Sequence, residues 1–136
     1  MSGAAGGGGS PGVLFRCDGS SVLDVSMGHV VRCSALALAL KKRGCRVCFV
    51  MCDLPGSVSD FVRRAGLPVE MIAYLSSAQE TALTEQDLDR TVETATRLRV
   101  GCVVVDHHGA SSDYLKNMKD RGISVATIDD DLADRD

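Results

Sequence analysis

Short apolar runs alternate along the chain with stretches in which apolar residues recur at helical spacing. The apolar runs predict five strands, at 13–17, 46–52, 69–74, 102–105 and 124–128. The intervening patterns predict four helices, at 29–43, 58–65, about 84–99 and 112–121. The run from Cys102 to Val105 is almost wholly apolar, which is typical of a strand buried on both faces of a parallel sheet. We therefore predict an α/β fold with a Rossmann-like, doubly wound parallel sheet.

Residue types at the helix ends support these boundaries. Gly44, Gly66 and Gly122 each follow a helical pattern, and glycine commonly ends a helix. The segment Thr84–Asp87 has the form of a capping box with Asp in place of Glu, so it is expected to begin the third helix. Ser112 is expected to cap the fourth helix. The apolar positions of the first helix are Val30, Leu36, Leu38 and Leu40, and those of the third are Leu88, Val92, Ala95 and Leu98.

The length and composition of the chain are those of one globular domain with a tail. We assign residues 1–12, which are rich in glycine, to a flexible tail, and residues 13–136 to a single Rossmann-like domain. The formal net charge of -3 and the lack of a long run of Lys and Arg disfavour nucleic acid as a partner. No apolar run reaches the roughly 18 residues that a membrane-spanning helix needs, so we expect no membrane partner.

The six cysteines are expected to be buried, reduced thiols. Cys45 and Cys48 have the spacing of a zinc or redox pair, but the pair overlaps a predicted strand and no second Cys or His pair follows it. Side chains three residues apart on a strand point to opposite faces, which also disfavours a shared metal ion. The N-terminal segment lacks the pattern of a secretory signal, so we expect the reducing environment of the cytoplasm.

Three polar clusters follow predicted strands. They are Arg16–His29, Asp106–Gly109 and Asp129–Asp131. In open parallel sheets the carboxyl ends of the strands meet at one edge, and ligands bind there. The sequence therefore predicts a site at this edge, built from the three clusters. The loop after the first strand lacks both the P-loop and the G-x-G-x-x-G pattern, so no dinucleotide cofactor is expected.

The first cluster leads into the first helix through Gly28 and His29. Gly28 lets a ligand approach the backbone, and the N–H groups of a first helical turn suit a phosphate or a developing oxyanion. The helix dipole disfavours imidazolium at His29, so we expect a neutral ring that can take a proton from water as a general base. Asp18 is expected to orient the ring, and Arg32 either to meet a phosphate or to pair with Asp18. A hydrogen-bonded structural role for His29 is the alternative.

The second and third clusters each admit several interpretations. The segment Asp106–Gly109 is compatible with the ligands of a two-metal phosphoesterase, with a metal-free lining of a sugar pocket, or with a strand-end turn. The acidic run at 129–131 is compatible with a divalent cation site or with a solvated helix cap. Spacing alone leaves these alternatives open.

Taken together, three motifs resemble those of a known enzyme family. The first covers Phe15–Ser20, Gly28–Cys33 and Leu36–Leu38, the second Val105–Gly109, and the third Ile128–Asp130. In this order they resemble the UDP-2,4-diacetamido-2,4,6-trideoxy-β-L-altropyranose hydrolases of pseudaminic acid biosynthesis, which are related to spore-coat polysaccharide proteins. The resemblance extends from Val13 to the end of the chain. Ser26 and His108 depart from it, because they stand where the family has Gly and Tyr.

The resemblance implies the N-terminal half of a glycosyltransferase-B-like fold, with the nucleotide-binding C-terminal domain lying outside this sequence. It also implies hydrolysis of the anomeric C–O bond of a UDP-sugar with inversion, without metal or other cofactor, and with His29 as general base. The substrate-binding residues that it implies are Arg16, Asp18, Ser20, Gly28, Arg32, Asp106, His107 and His108. A related UDP-sugar glycosyltransferase and a non-catalytic binding domain that keeps the fold are the alternatives.

Overall fold

The computed structural model describes residues 10–23, 25, 27–74 and 83–128. Within these residues the strands are β1 (Gly12–Cys17), β2 (Arg46–Cys52), β3 (Val69–Ile72), β4 (Cys102–Asp106) and β5 (Ser124–Thr127). The helices between them are α1 (Gly28–Lys42), α2 (Ser59–Arg64), α3 (Glu85–Arg97) and α4 (Ser112–Asp120). The strands form one sheet in the order β3-β2-β1-β4-β5, and each pair is parallel. The predicted Rossmann-like, doubly wound α/β sheet is thus confirmed.

The helices cover both faces of the sheet, and consecutive strand residues point to opposite sides. On β1, Phe15 points to the face beneath α1 and α2, where its ring stacks on that of Phe49 with centroids 5.0 Å apart. Leu14 points to the other face and shares an apolar cluster with Leu88 of α3 and Met118 of α4. These side chains are at most 2% exposed, so the sheet lies between two apolar layers.

Side-chain caps begin α3 and α4. Thr84 accepts a hydrogen bond from the Asp87 N–H at 3.2 Å, as the capping-box pattern predicts. In α4 the cap is Ser111, whose hydroxyl accepts from the Tyr114 N–H at 3.0 Å, so the prediction of Ser112 is wrong by one residue. Ser111 has the extended backbone that a capping residue needs, whereas Ser112 is already helical.

α1 ends at Lys42, one residue before the predicted end at Arg43, and parts of its apolar surface are exposed. Gly44 follows it with a φ of 90°, a left-handed conformation that favours glycine. Val30 and Ala37 are fully buried, whereas Leu36 and Leu38 are each 39% exposed and lie outside the buried stripe. α1 has 15 residues, and no helix among the described residues has the length and apolar character needed to cross a membrane.

Two further expectations are corrected by the structure. β3 ends at Ile72 instead of Tyr74. All six cysteines are free, but half of them are only partly buried, against the expectation that all are buried. The buried ones are Cys17, Cys33 and Cys48, and the partly buried ones are Cys45, Cys52 and Cys102.

Parallel pairing brings the loops after β1 and β4 together at one edge of the sheet. The two strands are neighbours in register, with Cys17 opposite Asp106. Asp18 and His107 therefore leave adjacent strands at the same level. α1 follows the β1 loop, so its first turn lies beside both loops.

Replacing Phe49 by alanine is expected to destabilise the domain by about 3–5 kcal/mol, because it removes a fully buried ring and leaves a cavity in the core. Phe61→Ala is the matched control, since Phe61 is 44% exposed. The control is expected to cost roughly 0.5 kcal/mol or less. Urea unfolding followed by circular dichroism measures both losses, and equal losses in the two variants would contradict this assignment of the core.

Candidate active site

The structure brings the first two polar clusters together at the carboxyl edge of the sheet. α1 begins at Gly28 and places His29 and Arg32 one turn apart, where both contact Asp106 at the end of β4. The loops after β1 and β4 surround this group. The third cluster, at 129–131, lies outside the described residues, so its part in the site stays a prediction.

His29 is held by Asp106. Nδ1 of His29 lies 2.7 Å from Oδ1 of Asp106, and the two side chains are 7% and 1% exposed. Burial acts to raise the pKa of Asp106, but hydrogen bonds from Arg32 and His29 outweigh it and lower that pKa to about 2. An ionised carboxylate only accepts hydrogen bonds, so Nδ1 of His29 carries a proton and donates it. The residue that orients His29 is therefore Asp106, which corrects the expectation of Asp18.

This contact selects the form of the imidazole that a general base needs. When the ring is neutral and Nδ1 carries the proton, the lone pair resides on Nε2. Nε2 is then the atom that accepts a proton from water or from a hydroxyl group. His29 thus has the arrangement expected of a base, namely one nitrogen fixed by a carboxylate and the other available for chemistry.

Arg32 clamps the same carboxylate. Its Nε donates to Oδ2 of Asp106 at 2.6 Å, and its Nη2 donates to Oδ1 at 2.8 Å. Arg32 thus pairs with Asp106. The sequence had suggested a phosphate or Asp18 as its partner. Nη2 also lies 3.3 Å from Nδ1 of His29, which puts a positive charge beside the ring. The Cys33 thiol, 3.7 Å from Oδ2, is a further donor to Asp106.

His107 is fixed in the opposite tautomer. Its Nδ1 accepts a hydrogen bond from the Gly109 N–H at 2.8 Å, so this nitrogen carries the lone pair. Nε2 must then carry the proton of the neutral ring, and it donates to Oδ2 of Asp18 at 2.9 Å. Both nitrogens of His107 are thus bonded within the protein, which gives this residue a supporting position.

His108 lies against the ring of His29. The ring centroids are 4.6 Å apart and the ring planes meet at 77°, an edge-to-face contact. His108 is exposed, in contrast to its neighbour His107. Of the two consecutive histidines, His108 is therefore the one placed beside His29.

Arg16 lies behind the site with no exposed surface. Its guanidinium donates to both oxygens of Asp18, at 2.8 and 3.1 Å, and to both oxygens of Asp87, at 3.0 and 2.5 Å. Asp87 reaches it from the first turn of α3 and also accepts from the Tyr114 hydroxyl at 2.7 Å. Burial and the charge of Asp87 raise the pKa of Tyr114, so this hydroxyl keeps its proton and donates. Arg16 thus supports the site from inside the fold.

Sequence reasoning missed Asp87 and Tyr114 as parts of this arrangement. In the sequence, Asp87 has only the features of a capping residue, and Tyr114 those of an apolar helix position. One signal was present, because Arg16 interrupts the apolar run of the first strand. A charge buried in a strand needs an acidic partner from elsewhere in the chain.

The loop after β1 is fixed by Ser20 and Asp18. The Ser20 hydroxyl accepts from the N–H groups of the second and third residues after it, at 3.0 and 2.8 Å, and donates to the carbonyl of Pro55. Oδ1 of Asp18 accepts from the N–H of Cys52 at 2.7 Å. These bonds tie the loop that leads to Gly28 to the end of β2.

The donor and acceptor atoms of Asp106 and His107 are engaged with other protein groups. The two-metal interpretation needs Asp106 and His107 as ligands, but their oxygens and nitrogens are bonded to protein groups. Among the residues that the structure describes, no group of three His, Cys, Asp or Glu side chains is arranged to hold a metal ion.

No protein-family model matches the sequence, and no significant match is found among curated proteins. The function is therefore inferred from the residues at this edge of the sheet.

Acid is expected to remove part of the stability of the fold. Burial acts to raise the pKa of Asp18, but the charge of Arg16 and the hydrogen bond from His107 outweigh it and lower the pKa to about 2, from an ordinary 3.8. The ionised carboxylate therefore stabilises the folded state above about pH 4, and this contribution of roughly 2 kcal/mol is lost as the pH falls through about 2. Urea unfolding at a series of pH values measures the loss.

Asp18→Asn is expected to be less stable than the parent at neutral pH. Its unfolding free energy is also expected to change less steeply with pH. Part of the dependence remains in this variant, because the pKa of Asp106 is also lowered to about 2. Asp60→Asn is the matched control, since the Asp60 side chain is 79% exposed, and it should keep the slope of the parent. A parent whose unfolding free energy stays constant over this range would contradict the ionised state of Asp18.

Proposed function

We propose that this domain supplies the general base of an enzyme that hydrolyses the anomeric C–O bond of a UDP-linked 2,4-diacetamido-trideoxy sugar. The observation that carries the proposal is the 2.7 Å contact between Nδ1 of His29 and Oδ1 of Asp106 at the carboxyl edge of a parallel sheet. The resemblance of the three sequence motifs supports the substrate class. The reaction would release the free sugar and UDP in nonulosonic acid biosynthesis.

The proposed step is a single displacement at the anomeric carbon. Water gives one proton to Nε2 of His29, and its oxygen forms a bond to the anomeric carbon from the face opposite UDP. The bond between that carbon and the phosphate oxygen breaks, and its electron pair leaves with UDP. The imidazolium that forms on His29 is stabilised by the carboxylate of Asp106. Attack from the opposite face inverts the anomeric configuration.

Binding of the diphosphate is assigned to a second, C-terminal domain. A diphosphate needs cations or free N–H donors around it. The described arginines nearest the base are committed to carboxylates, since Arg16 is fully buried between two of them and Arg32 clamps Asp106. The described residues thus provide the base and its support. Most contacts to UDP would be made by the C-terminal domain.

Replacing His29 by alanine is expected to lower the rate of UDP release about 10²–10⁴-fold, the usual contribution of a general base. The assay uses a UDP-activated 2,4-diacetamido sugar with EDTA present, in water enriched in oxygen-18. The chain is tested alone and together with a C-terminal domain of the resembled family. Mass spectrometry is expected to find the heavy oxygen in the free sugar, because the C–O bond is the one that breaks.

Three outcomes of this assay contradict the proposal. Heavy oxygen in UDP would indicate attack on phosphorus, as in a phosphoesterase. UDP release that depends on an added sugar acceptor would indicate a glycosyltransferase, and no release with the C-terminal domain present would indicate a binding domain. Val31→Ala is the matched control, since Val31 lies on the same helix and is 48% exposed, and it should keep the activity of the parent.

Asp106→Asn is expected to lower kcat about 10²-fold or more with little change in KM. The asparagine amide no longer requires a proton on Nδ1 of His29, so the ring loses the tautomer that makes Nε2 basic. Steady-state kinetics separates kcat from KM, and nitrogen-15 NMR of the histidine ring reports the tautomer directly. An unchanged kcat in a folded variant would remove Asp106 from the mechanism.

A further inference from the structure

Asp106 carries one negative charge and serves two neighbours. Its Oδ1 contacts Nδ1 of His29 at 2.7 Å and Nη2 of Arg32 at 2.8 Å. Its Oδ2 accepts from Nε of Arg32 at 2.6 Å. Arg32 therefore binds the carboxylate at two points, while His29 binds it at one.

The two neighbours compete for the same charge. A carboxylate beside an imidazole favours the protonated ring, and an opposite charge at this range commonly shifts a titration by about 1–3 pH units. A ring that is already protonated at Nε2 cannot act as a base. Asp106 alone would thus orient His29 and also work against its function at neutral pH.

Arg32 opposes this second effect. Its guanidinium neutralises the charge of Asp106 and lies 3.3 Å from Nδ1 of His29, where it disfavours a second positive charge. Two more described groups contact this cluster, namely His108, in ring contact with His29, and the Cys33 thiol, 3.7 Å from Asp106. Neither of them brings a fixed charge of the size of the guanidinium.

We propose that Arg32 is a positioning residue that opposes the effect of the Asp106 charge on the His29 ring while leaving its Nδ1–H bonded to Asp106. The pair of Asp106 and Arg32 orients the ring as a carboxylate does, but with little net charge. The catalytic meaning of this role rests on the proposed function. The effect on the protonation of His29 is a property of the folded chain and is measured without substrate.

The test is an NMR titration of the His29 ring in the full chain. Arg32→Met is expected to raise the midpoint of this titration by about one pH unit or more, because Asp106 then acts on His29 unopposed. Arg32→Lys keeps the positive charge and is expected to raise it by less than half as much. The His29 signal is identified by its loss in His29→Gln. An unchanged midpoint in Arg32→Met would overturn the proposal.

Two further variants separate the local effect from fold and net charge. Arg32→Gln removes the charge but keeps a polar side chain, so it replaces Arg32→Met if that variant does not fold. Arg43→Met makes the same change in net charge just beyond the end of α1, about 16 Å from Arg32 along the helix. Its midpoint should match the parent, and a shift as large as that of Arg32→Met would also overturn the proposal.

The pH profile of hydrolysis distinguishes this proposal from the function on which it rests. In Arg32→Met the acid limb of kcat/KM is expected to move up in pH with the titration midpoint, and activity should recover at higher pH. If the His29 midpoint shifts in Arg32→Met but the parent shows no hydrolysis, the proposed function is contradicted and the role of Arg32 is supported. If the parent hydrolyses the substrate but the His29 midpoint is unchanged in Arg32→Met, only the role of Arg32 is contradicted.

Discussion

A guanidinium buried without any contact with solvent is the constraint on which the described site depends. Arg16 interrupts an apolar strand at the centre of the sheet, where an unpaired charge would be very costly. Its partners come from two elements, Asp18 from the loop after β1 and Asp87 from the first turn of α3. Removing one partner of such a buried group commonly costs roughly 3–5 kcal/mol. The buried charge of Arg16 needs both carboxylates. This need therefore fixes the positions of the loop after β1 and of the first turn of α3.

Arg16 is linked to His29 through a series of hydrogen bonds and one ring contact. Arg16 holds Asp18 ionised, and Asp18 then accepts a hydrogen bond from the Nε2–H group of His107. The fixed ring of His107 also bonds to the backbone of its own turn, which places His108 against His29. His29 and His107 thus have different tautomers, because Asp106 requires a proton on Nδ1 of His29 and Asp18 requires one on Nε2 of His107.

The sequence was sufficient to predict the strands and helices and the edge of the sheet that carries the candidate site. Apolar runs and terminal glycines predict strands and helices, and parallel topology brings the strand ends together. The pairing of the charged groups was not predictable. Asp18 and Asp106 both follow strands, and only the register of β1 with β4 decides which carboxylate faces His29. Arg16 and Asp87 are 71 residues apart, and periodicity carries no information about contacts at that distance.

The arrangement proposed for the base depends on contacts between distant parts of the chain. The contact between His29 and Asp106 spans 77 residues, and it requires β4 to add to β1 after the chain between them has crossed the sheet. Contacts between residues so distant in the chain close large loops and form slowly. Without β4 in place, the ring of His29 would lack the carboxylate that fixes the proton on Nδ1. Local release of β4 would therefore remove the contact on which the proposed base depends, without any change in the sequence of α1.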